Sequence, residues 1–229
     1  MFLCEKTNDA RRQSRGEGTE LKNILCYGDS NTWGWTPVSG VRYPLDVRWT
    51  GIMQKNLGGE YHVIEDGMNG RTTCYDDPTW PFHNGFKSIY ASLETHYPLD
   101  LVIVMLGSND AKRHICATPY ASACGMENIV RVIRSGMYGN GKKDPEILIV
   151  SPILIGEDID RTCSFGEMSA PFSRLLSKEL GRVAREQGTF FMDASLYAEP
   201  SREDCLHMTP EGHAALAKAM TEKVKEILG

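Results

Sequence analysis

The chain has no long hydrophobic run and no excess of positive charge. Its longest apolar stretch, residues 101–106, is far shorter than the roughly 20 residues that cross a bilayer. Residues 1–20 contain no apolar segment of signal-peptide length. With 25 basic and 30 acidic residues, the formal net charge is −5. These features give no reason to expect a membrane or a nucleic acid as a partner.

The cysteines form no recognisable framework. There are seven, an odd number, and none of them are spaced as C-x-x-C, which argues against a disulfide scaffold or a zinc site. The histidines also lack a ligand-like spacing to one another or to cysteine. We therefore expect reduced thiols, no bound metal and a cytoplasmic location.

Length and composition predict one α/β domain. A chain of 229 residues with 41% hydrophobic residues can bury a sizeable core. We expect residues 1–20 to be a poorly ordered extension and residues 21–229 to form a single domain, because no repeat, linker or low-complexity tract divides them.

Short apolar runs alternate with stretches whose apolar residues recur at helical spacing. The runs are continuous, as in strands buried on both faces of a parallel sheet, and cover residues 23–27, 61–65, 101–106, 146–150 and 189–192. Helices are expected at residues 49–57, 86–95, 121–133, 172–186 and 210–228, the last with Thr209 as N-cap and Pro210 at its first position. This alternation predicts a three-layer αβα sandwich around a five-stranded parallel sheet.

Polar clusters follow four of the predicted strands. They occupy residues 28–32, 66–71, 107–110 and 204–207. Ligands of open parallel sheets bind beyond the carboxyl ends of the strands, so these clusters are the candidate active site.

The residue types in these polar clusters fit an enzyme that transfers acyl groups through a serine. Ser30 supplies a hydroxyl, His207 a general base, and Asp204 a carboxylate that can orient the imidazole. The N–H groups of Ser30 and Gly70 and the amide of Asn109 could then bind an oxyanion. Taken singly, each residue could instead be a helix cap, a turn residue or a surface residue. Asp193, at the end of the fifth strand, is an alternative partner for His207. No G-x-S-x-G motif is present, which argues against the α/β-hydrolase arrangement.

These clusters resemble the four sequence blocks of the SGNH (GDSL) hydrolases. The matching residues are Gly28-Asp29-Ser30, Gly70, Gly107-x-Asn109-Asp110 and Asp204-x-x-His207. Residues 28–35, 46–51, 70–73, 77–78 and 98–103 further resemble the bacterial arylesterase/acyltransferase branch. The resemblance implies a flavodoxin-like sheet, no organic cofactor, and a homo-oligomer. It also implies a carboxylic ester hydrolase (EC 3.1.1) that cleaves small, short-chain aryl or alkyl esters through an acyl-enzyme on Ser30.

Some members of that branch also transfer acyl groups to alcohols. They often carry Ala where this chain has Gly70 and Ser where it has Asn69, so hydrolysis is the stronger expectation. Residues 153–168 match poorly and are expected to wall the substrate pocket. We expect Trp33, Trp35, Phe165 and Met168 to line it.

Two alternatives stay open. The same triad could serve a carbohydrate acetyl esterase. A flavin-binding, flavodoxin-like module could instead hold a phosphate at the helix N-terminus near residues 30–32, although it would leave Asp204 and His207 unexplained.

Overall fold

A computed structural model describes residues 21–138, 144–161 and 164–229, so the predicted extension at 1–20 lies outside the described residues. The five strands are β1 (Lys22–Gly28), β2 (Tyr61–Gly67), β3 (Leu101–Met105), β4 (Glu146–Ser151) and β5 (Phe190–Asp193). The helices are α1 (Ser30–Trp33), α2 (Trp49–Leu57), α3 (Gly85–His96), α4 (Pro119–Arg134), α5 (Ser169–Gln187) and α6 (Pro210–Leu228). Short 3-10 helices occur at Ser108–Ala111, Glu157–Arg161 and Ala194–Leu196.

The strands form one parallel sheet in the order β2-β1-β3-β4-β5. The predicted five-stranded parallel sheet is confirmed. All five residues of the central strand β3 are buried, as the continuous apolar run predicts. The two edge strands differ, because only Tyr61 in β2 and only Met192 in β5 are buried. Edge strands have a neighbour on one side only, so the expectation of burial on both faces fails there.

Helices cover both faces of the sheet. Helices α3, α4 and α5 pack on one face, where Val102 and Ile149 join their apolar residues. Helices α2 and α6 pack on the other face, against Ile103 and Val150. Side chains alternate between the two faces along a strand, so each inner strand contributes to both cores. The predicted three-layer sandwich is confirmed.

Most helices begin where the sequence carries a capping signal. Helix α6 has the predicted bounds, and the Thr209 hydroxyl accepts from the Gly212 N–H at 3.4 Å. Helix α4 begins two residues before the predicted start, because Thr118 caps it and Pro119 fits the first turn.

Within the described ranges, no helix is long and apolar enough to span a membrane.

Strand register brings the predicted clusters to one edge. Gly28 pairs with Gly67 on one side and with Met105 on the other, so β1, β2 and β3 end at the same level. The segments carrying Ser30, Gly70 and Asn109 leave the sheet there. The segment between β5 and α6 reaches the same edge, since the Leu206 carbonyl accepts from the Asn31 side chain at 3.2 Å.

Candidate active site

Ser30 begins α1, directly after the tight turn in which β1 ends. A Cβ on Gly28 would lie 2.1 Å from the Thr32 hydroxyl, so only glycine fits before this turn. The Asp29 carboxylate accepts from the Asn31 N–H at 3.0 Å and caps the helix. Asp29 therefore fixes the backbone of this turn by accepting a hydrogen bond. The turn places Ser30 at the carboxyl edge of the sheet.

The three residues of the predicted triad lie within hydrogen-bond distance of one another. Nε2 of His207 is 2.8 Å from Oγ of Ser30, and Nδ1 is 2.7 Å from Oδ2 of Asp204. Oδ1 of Asp204 also accepts from the His207 N–H at 3.0 Å. An ionised carboxylate only accepts, so Asp204 places the ring proton on Nδ1 and leaves Nε2 to accept from Ser30.

Electrostatics favour a charged Asp204. Burial alone would raise the pKa of this carboxyl. Hydrogen bonds from the ring and backbone of His207 outweigh burial, and the pKa lies below its usual value. Asp193, the alternative partner, instead accepts from the N–H and hydroxyl of Ser195 at 2.9 and 2.6 Å and from the Ser177 hydroxyl. Asp204 is therefore the carboxylate that contacts His207.

Two neighbours hold the His207 loop. Oδ1 of Asn31 accepts from the Met208 N–H at 3.1 Å, and its Nδ2 donates to the Leu206 carbonyl at 3.2 Å. Asn31 thus binds the residues on both sides of His207. The Trp35 ring stacks on the imidazole, with centroids 5.5 Å apart and an interplanar angle of 27°. The sequence offered no signal for the role of Asn31 beyond its place after Ser30.

Gly70 and Asn109 are the other residues with predicted oxyanion donors. Gly70 has a φ of 76° and lines the same cavity. Nδ2 of Asn109 donates to the Arg71 carbonyl at 3.1 Å and approaches Oδ2 of Asp29 at 3.5 Å. Within the described ranges, the backbone N–H groups of Ser30 and Gly70 donate to no other protein group. The residues of all three predicted oxyanion donors therefore line one cavity.

Two buried carboxyl groups, those of Asp29 and Asp110, are sequence neighbours of Ser30 and Asn109. Burial raises the pKa of Asp29 to about 6, although the hydrogen bond from Asn31 opposes the shift. Burial likewise raises the pKa of Asp110 to about 6, against hydrogen bonds from Thr73. The Asp110 carboxylate accepts from the Thr73 N–H at 2.9 Å and the Thr73 hydroxyl at 2.5 Å, which ties the segment after Gly70 to the segment after β3.

A cavity of about 370 Å³ opens beside Ser30 and His207. Its apolar lining consists of Trp35, Trp80, Phe165 and Leu206, and its polar lining includes Asn69, Thr79, Lys112 and Ser164. The structure therefore places Trp35 and Phe165 where the pocket was predicted. Trp80, Lys112 and Asn69 were not predicted.

Trp33 and Met168 do not line this cavity. The Trp33 ring packs under the Arg42 guanidinium at 5.3 Å, and its carbonyl accepts from Arg42 Nε. Met168 is 69% exposed and borders a separate depression with Arg113 and Gly166. Both predictions were wrong: Trp33 was expected at the pocket because it closely follows Ser30, and Met168 because it belongs to the segment 153–168, but neither position in the sequence gives the direction in which the side chain points.

His213 has a structural position. It is fully buried, and its Nδ1 accepts from the Trp49 N–H at 3.3 Å. Burial lowers its pKa to about 4, and the nearby charge of Arg48 acts in the same direction. His213 is therefore neutral at physiological pH.

Among the residues that the structure describes, no group of three or more His, Cys, Asp or Glu side chains is placed to hold a metal ion.

The parallel sheet and the serine–histidine–aspartate arrangement at its carboxyl edge are those of a serine hydrolase. A family model described as the GDSL-like lipase/acylhydrolase family matches residues 26–215. The chain belongs to this family and is an esterase, a carboxylic ester hydrolase. Its substrates are therefore small-molecule esters.

Solved structures agree with this membership. An aryl esterase from M. smegmatis is 37% identical, with 90% of this chain and 100% of that chain covered and a TM-score of 0.85. Est24, a carbohydrate acetylesterase from Sinorhizobium meliloti, is 36% identical, with 90% and 99% covered and a TM-score of 0.85. A lipolytic protein of the G-D-S-L family from Veillonella parvula, 14% identical over 88% of this chain and 97% of that chain with a TM-score of 0.64, shares the fold. No curated protein matches the chain. These comparisons do not favour the flavin-binding alternative.

Proposed function

We propose that the chain hydrolyses short-chain aryl or alkyl esters through an acyl-enzyme on Ser30. The observation that carries this assignment is the hydrogen-bonded series from Ser30 Oγ to His207 Nε2 at 2.8 Å and from His207 Nδ1 to Asp204 Oδ2 at 2.7 Å, facing a cavity. His207 takes the proton of Ser30 as Oγ attacks the ester carbonyl carbon. Asp204 orients the imidazole and stabilises the imidazolium that forms.

The negative charge of the tetrahedral intermediate develops on the former carbonyl oxygen. The N–H groups of Ser30 and Gly70 and Nδ2 of Asn109 are its donors. The contact of Asn109 with Asp29, at 3.5 Å, is longer than a normal N–H···O hydrogen bond, so an oxyanion can replace it. Collapse of the intermediate breaks the ester C–O bond, and His207 returns the proton to the departing alcohol.

Water completes the cycle. His207 removes a proton from a water molecule that attacks the acyl carbon on Ser30. A second tetrahedral intermediate forms at the same donors, and its collapse returns the proton to Ser30 and releases the carboxylic acid. None of these steps uses a metal or an organic cofactor.

The size of the cavity favours small substrates. About 370 Å³ lies near the lower end of the range for small-molecule sites, and Phe165, which is 4% exposed, closes part of its wall. An acetyl to butyryl chain is therefore the expected acyl group. An aromatic leaving group can contact Trp35 or Trp80.

A carbohydrate acetyl esterase is the second candidate, with the same Ser30, His207 and Asp204. The similarity to the Sinorhizobium meliloti acetylesterase favours it. So does the polar lining of the cavity, which includes Asn69, Thr79 and Lys112. A cytoplasmic location and a homo-oligomeric state remain predictions, the first from the odd number of cysteines and the second from the family resemblance.

Replacement of the proposed nucleophile tests the function. Ser30→Ala should reduce kcat for 4-nitrophenyl acetate by at least about 10⁴-fold, because no oxygen remains to form the acyl-enzyme. Ser135→Ala is the matched control, since the Ser135 hydroxyl donates to the Val132 carbonyl at 2.7 Å at the end of α4 and Ser135 does not line this cavity. Its kcat should stay within about tenfold of the wild type. Turnover by a folded Ser30→Ala variant at near wild-type rates would refute the assignment.

A further inference from the structure

Arg71 carries a buried charge at the carboxyl edge of the sheet. Its side chain is 5% exposed, and it does not line the cavity of the candidate active site. Nη1 donates to the Gly28 carbonyl at 2.9 Å and to the Asp66 carbonyl at 2.6 Å, and Nη2 donates to Oδ1 of Asp66 at 2.8 Å. The guanidinium carbon lies 3.9 Å from the centroid of the Tyr27 ring. The Arg71 side chain therefore joins the ends of β1 and β2.

The backbone of Arg71 contacts the segments that carry two proposed oxyanion donors. Its N–H donates to the Met68 carbonyl at 3.1 Å, which closes a four-residue turn with Gly70 at the third position. Gly70 has a φ of 76°, a conformation that glycine adopts freely. The Arg71 carbonyl accepts from Nδ2 of Asn109 at 3.1 Å. One residue thus contacts both the turn that carries the Gly70 N–H and the amide of Asn109.

The side chain of Arg71 anchors what its backbone holds. The Gly28 carbonyl accepts from the Arg71 guanidinium and also from the Met68 N–H at 3.1 Å, so both ends of the turn are fixed to the end of β1. The Asn109 amide approaches Oδ2 of Asp29 only at 3.5 Å, so the Arg71 carbonyl is its closer acceptor. Without the guanidinium, the turn and this carbonyl would lose their fixed position relative to β1, the strand that leads to the nucleophile.

We propose that Arg71 is a positioning residue for ester hydrolysis, whose buried guanidinium holds the turn of Gly70 and the amide of Asn109 in the geometry that binds the oxyanion. This rests on the proposed serine esterase function. Donors that are aimed in advance at the developing charge need no reorganisation during the reaction. Because Arg71 does not line the cavity, its removal should weaken binding of the transition state and leave binding of the ester nearly unchanged.

Replacement of the guanidinium in the full-length chain tests this role. Arg71→Met removes every N–H donor of the side chain, and a misplacement of about 1 Å costs about 10²-fold in rate. Its kcat for 4-nitrophenyl acetate should therefore fall by roughly 10²-fold, while KM changes by less than about threefold. Arg71→Lys keeps the charge but cannot make the forked contact, so its kcat should lie between those of Arg71→Met and the wild type.

A transition-state analogue gives a second readout. An alkyl trifluoromethyl ketone adds to an activated serine and forms a tetrahedral oxyanion that occupies the same donors. Its Ki should rise in Arg71→Met by about the factor by which kcat falls. A change that only destabilised the fold would leave the Ki of the folded enzyme unchanged.

Arg48→Met is the matched control. The Arg48 side chain is 10% exposed and also pairs with a carboxylate of β2, since it donates to Glu65 at 2.9 and 2.7 Å and to the Tyr43 carbonyl at 2.7 Å. It does not line the cavity. Like Arg71→Met, Arg48→Met should unfold at a lower urea concentration than the wild type, but its kcat and its Ki for the ketone should stay within about threefold of the wild type.

A double-mutant cycle tests whether Arg71 acts through Asn109. In Asn109→Ala, one of the two groups that Arg71 positions is already absent. Arg71→Met should therefore lower kcat by only about tenfold in that background, against roughly 10²-fold in the wild type. A residue that supported only the fold would lower kcat by the same factor in both backgrounds.

Several results would overturn the positioning role. These are a loss of kcat in Arg71→Met no larger than that in Arg48→Met, a loss confined to KM, an unchanged Ki for the ketone, or equal factors in the two backgrounds. If Arg71→Met does not fold, Arg71→Lys is compared with Arg48→Lys, and equal kcat values would refute the role. The proposed esterase function fails separately, if Ser30→Ala keeps the activity. An enzyme that needs Ser30 but keeps its kcat in Arg71→Met refutes the positioning role alone.

Discussion

Asn31 binds the residues on both sides of His207, so its removal should misplace the imidazole. Asn31→Ala deletes two hydrogen bonds of 3.1 and 3.2 Å, to the Met208 N–H and the Leu206 carbonyl. Each such bond contributes about 1 kcal/mol, and a buried N–H left unpaired costs about 1–3 kcal/mol. The free energy of unfolding should therefore fall by about 2–4 kcal/mol. A misplacement of about 1 Å in a catalytic group costs about 10²-fold in rate, so kcat should fall by about 10- to 100-fold.

The assay is kcat and KM for 4-nitrophenyl acetate, together with urea denaturation. KM should change by less than about threefold, because Asn31 contacts the loop of His207 rather than the cavity. Gln54→Ala is the matched control. Gln54 donates to the Tyr61 carbonyl at 2.9 Å and accepts from the Val63 N–H at 2.7 Å, at the opposite end of the sheet. It should lose stability and keep kcat. If Asn31→Ala lost no more kcat than Gln54→Ala, Asn31 would have no part in positioning His207.

Three further outcomes are expected. Asn109→Ala should lower kcat by roughly 10²- to 10³-fold with a small effect on KM, because the donor acts mainly as the oxyanion develops; a large rise in KM at constant kcat would make Asn109 a substrate-binding residue instead. Burial raises the pKa of Asp110 from 3.8 to about 6. Between about pH 4 and 6, Asp110 therefore holds a proton in the folded protein that it releases in the unfolded chain, so the free energy of unfolding falls as the pH rises through this range. In urea denaturation, Asp110→Asn should reduce this decline by about 1–3 kcal/mol, and an unchanged pH dependence would contradict it. Acetate to butyrate esters should have a higher kcat/KM than octanoate esters of the same alcohol, since the cavity holds about 370 Å³, and rates that rise beyond octanoate would indicate a lipase-like enzyme.

The fold was predictable because its signals are local. The apolar run at residues 101–106 gave the central strand, and Thr209 with Pro210 gave the start of α6. The segments that carry Ser30, Gly70, Asn109 and His207 were predictable for a related reason, since each follows a strand and parallel strands end at one edge.

Side-chain direction was not predictable. Trp33 and Trp35 are two residues apart, yet only Trp35 lines the cavity. Asp193 ends β5 and Asp204 lies in the segment after it; hydrogen bonds from Ser177 and Ser195 to Asp193, and from His207 to Asp204, separate their roles. Lys112 was not predicted to line the cavity, because its partner, Asp77, lies 35 residues away in the sequence. No local pattern reports such a contact.

Covalent labelling of Ser30 tests the central claim most directly. A fluorophosphonate forms a stable adduct only with a serine activated by its base, and peptide mass spectrometry identifies the modified residue. The proposed mechanism predicts one adduct per chain, on the peptide that carries Ser30, with activity lost in proportion to labelling. His207→Ala should slow the labelling by at least about 10³-fold, because the base is removed. An adduct on another residue that abolishes activity, or full activity with Ser30 modified, would contradict the proposed mechanism.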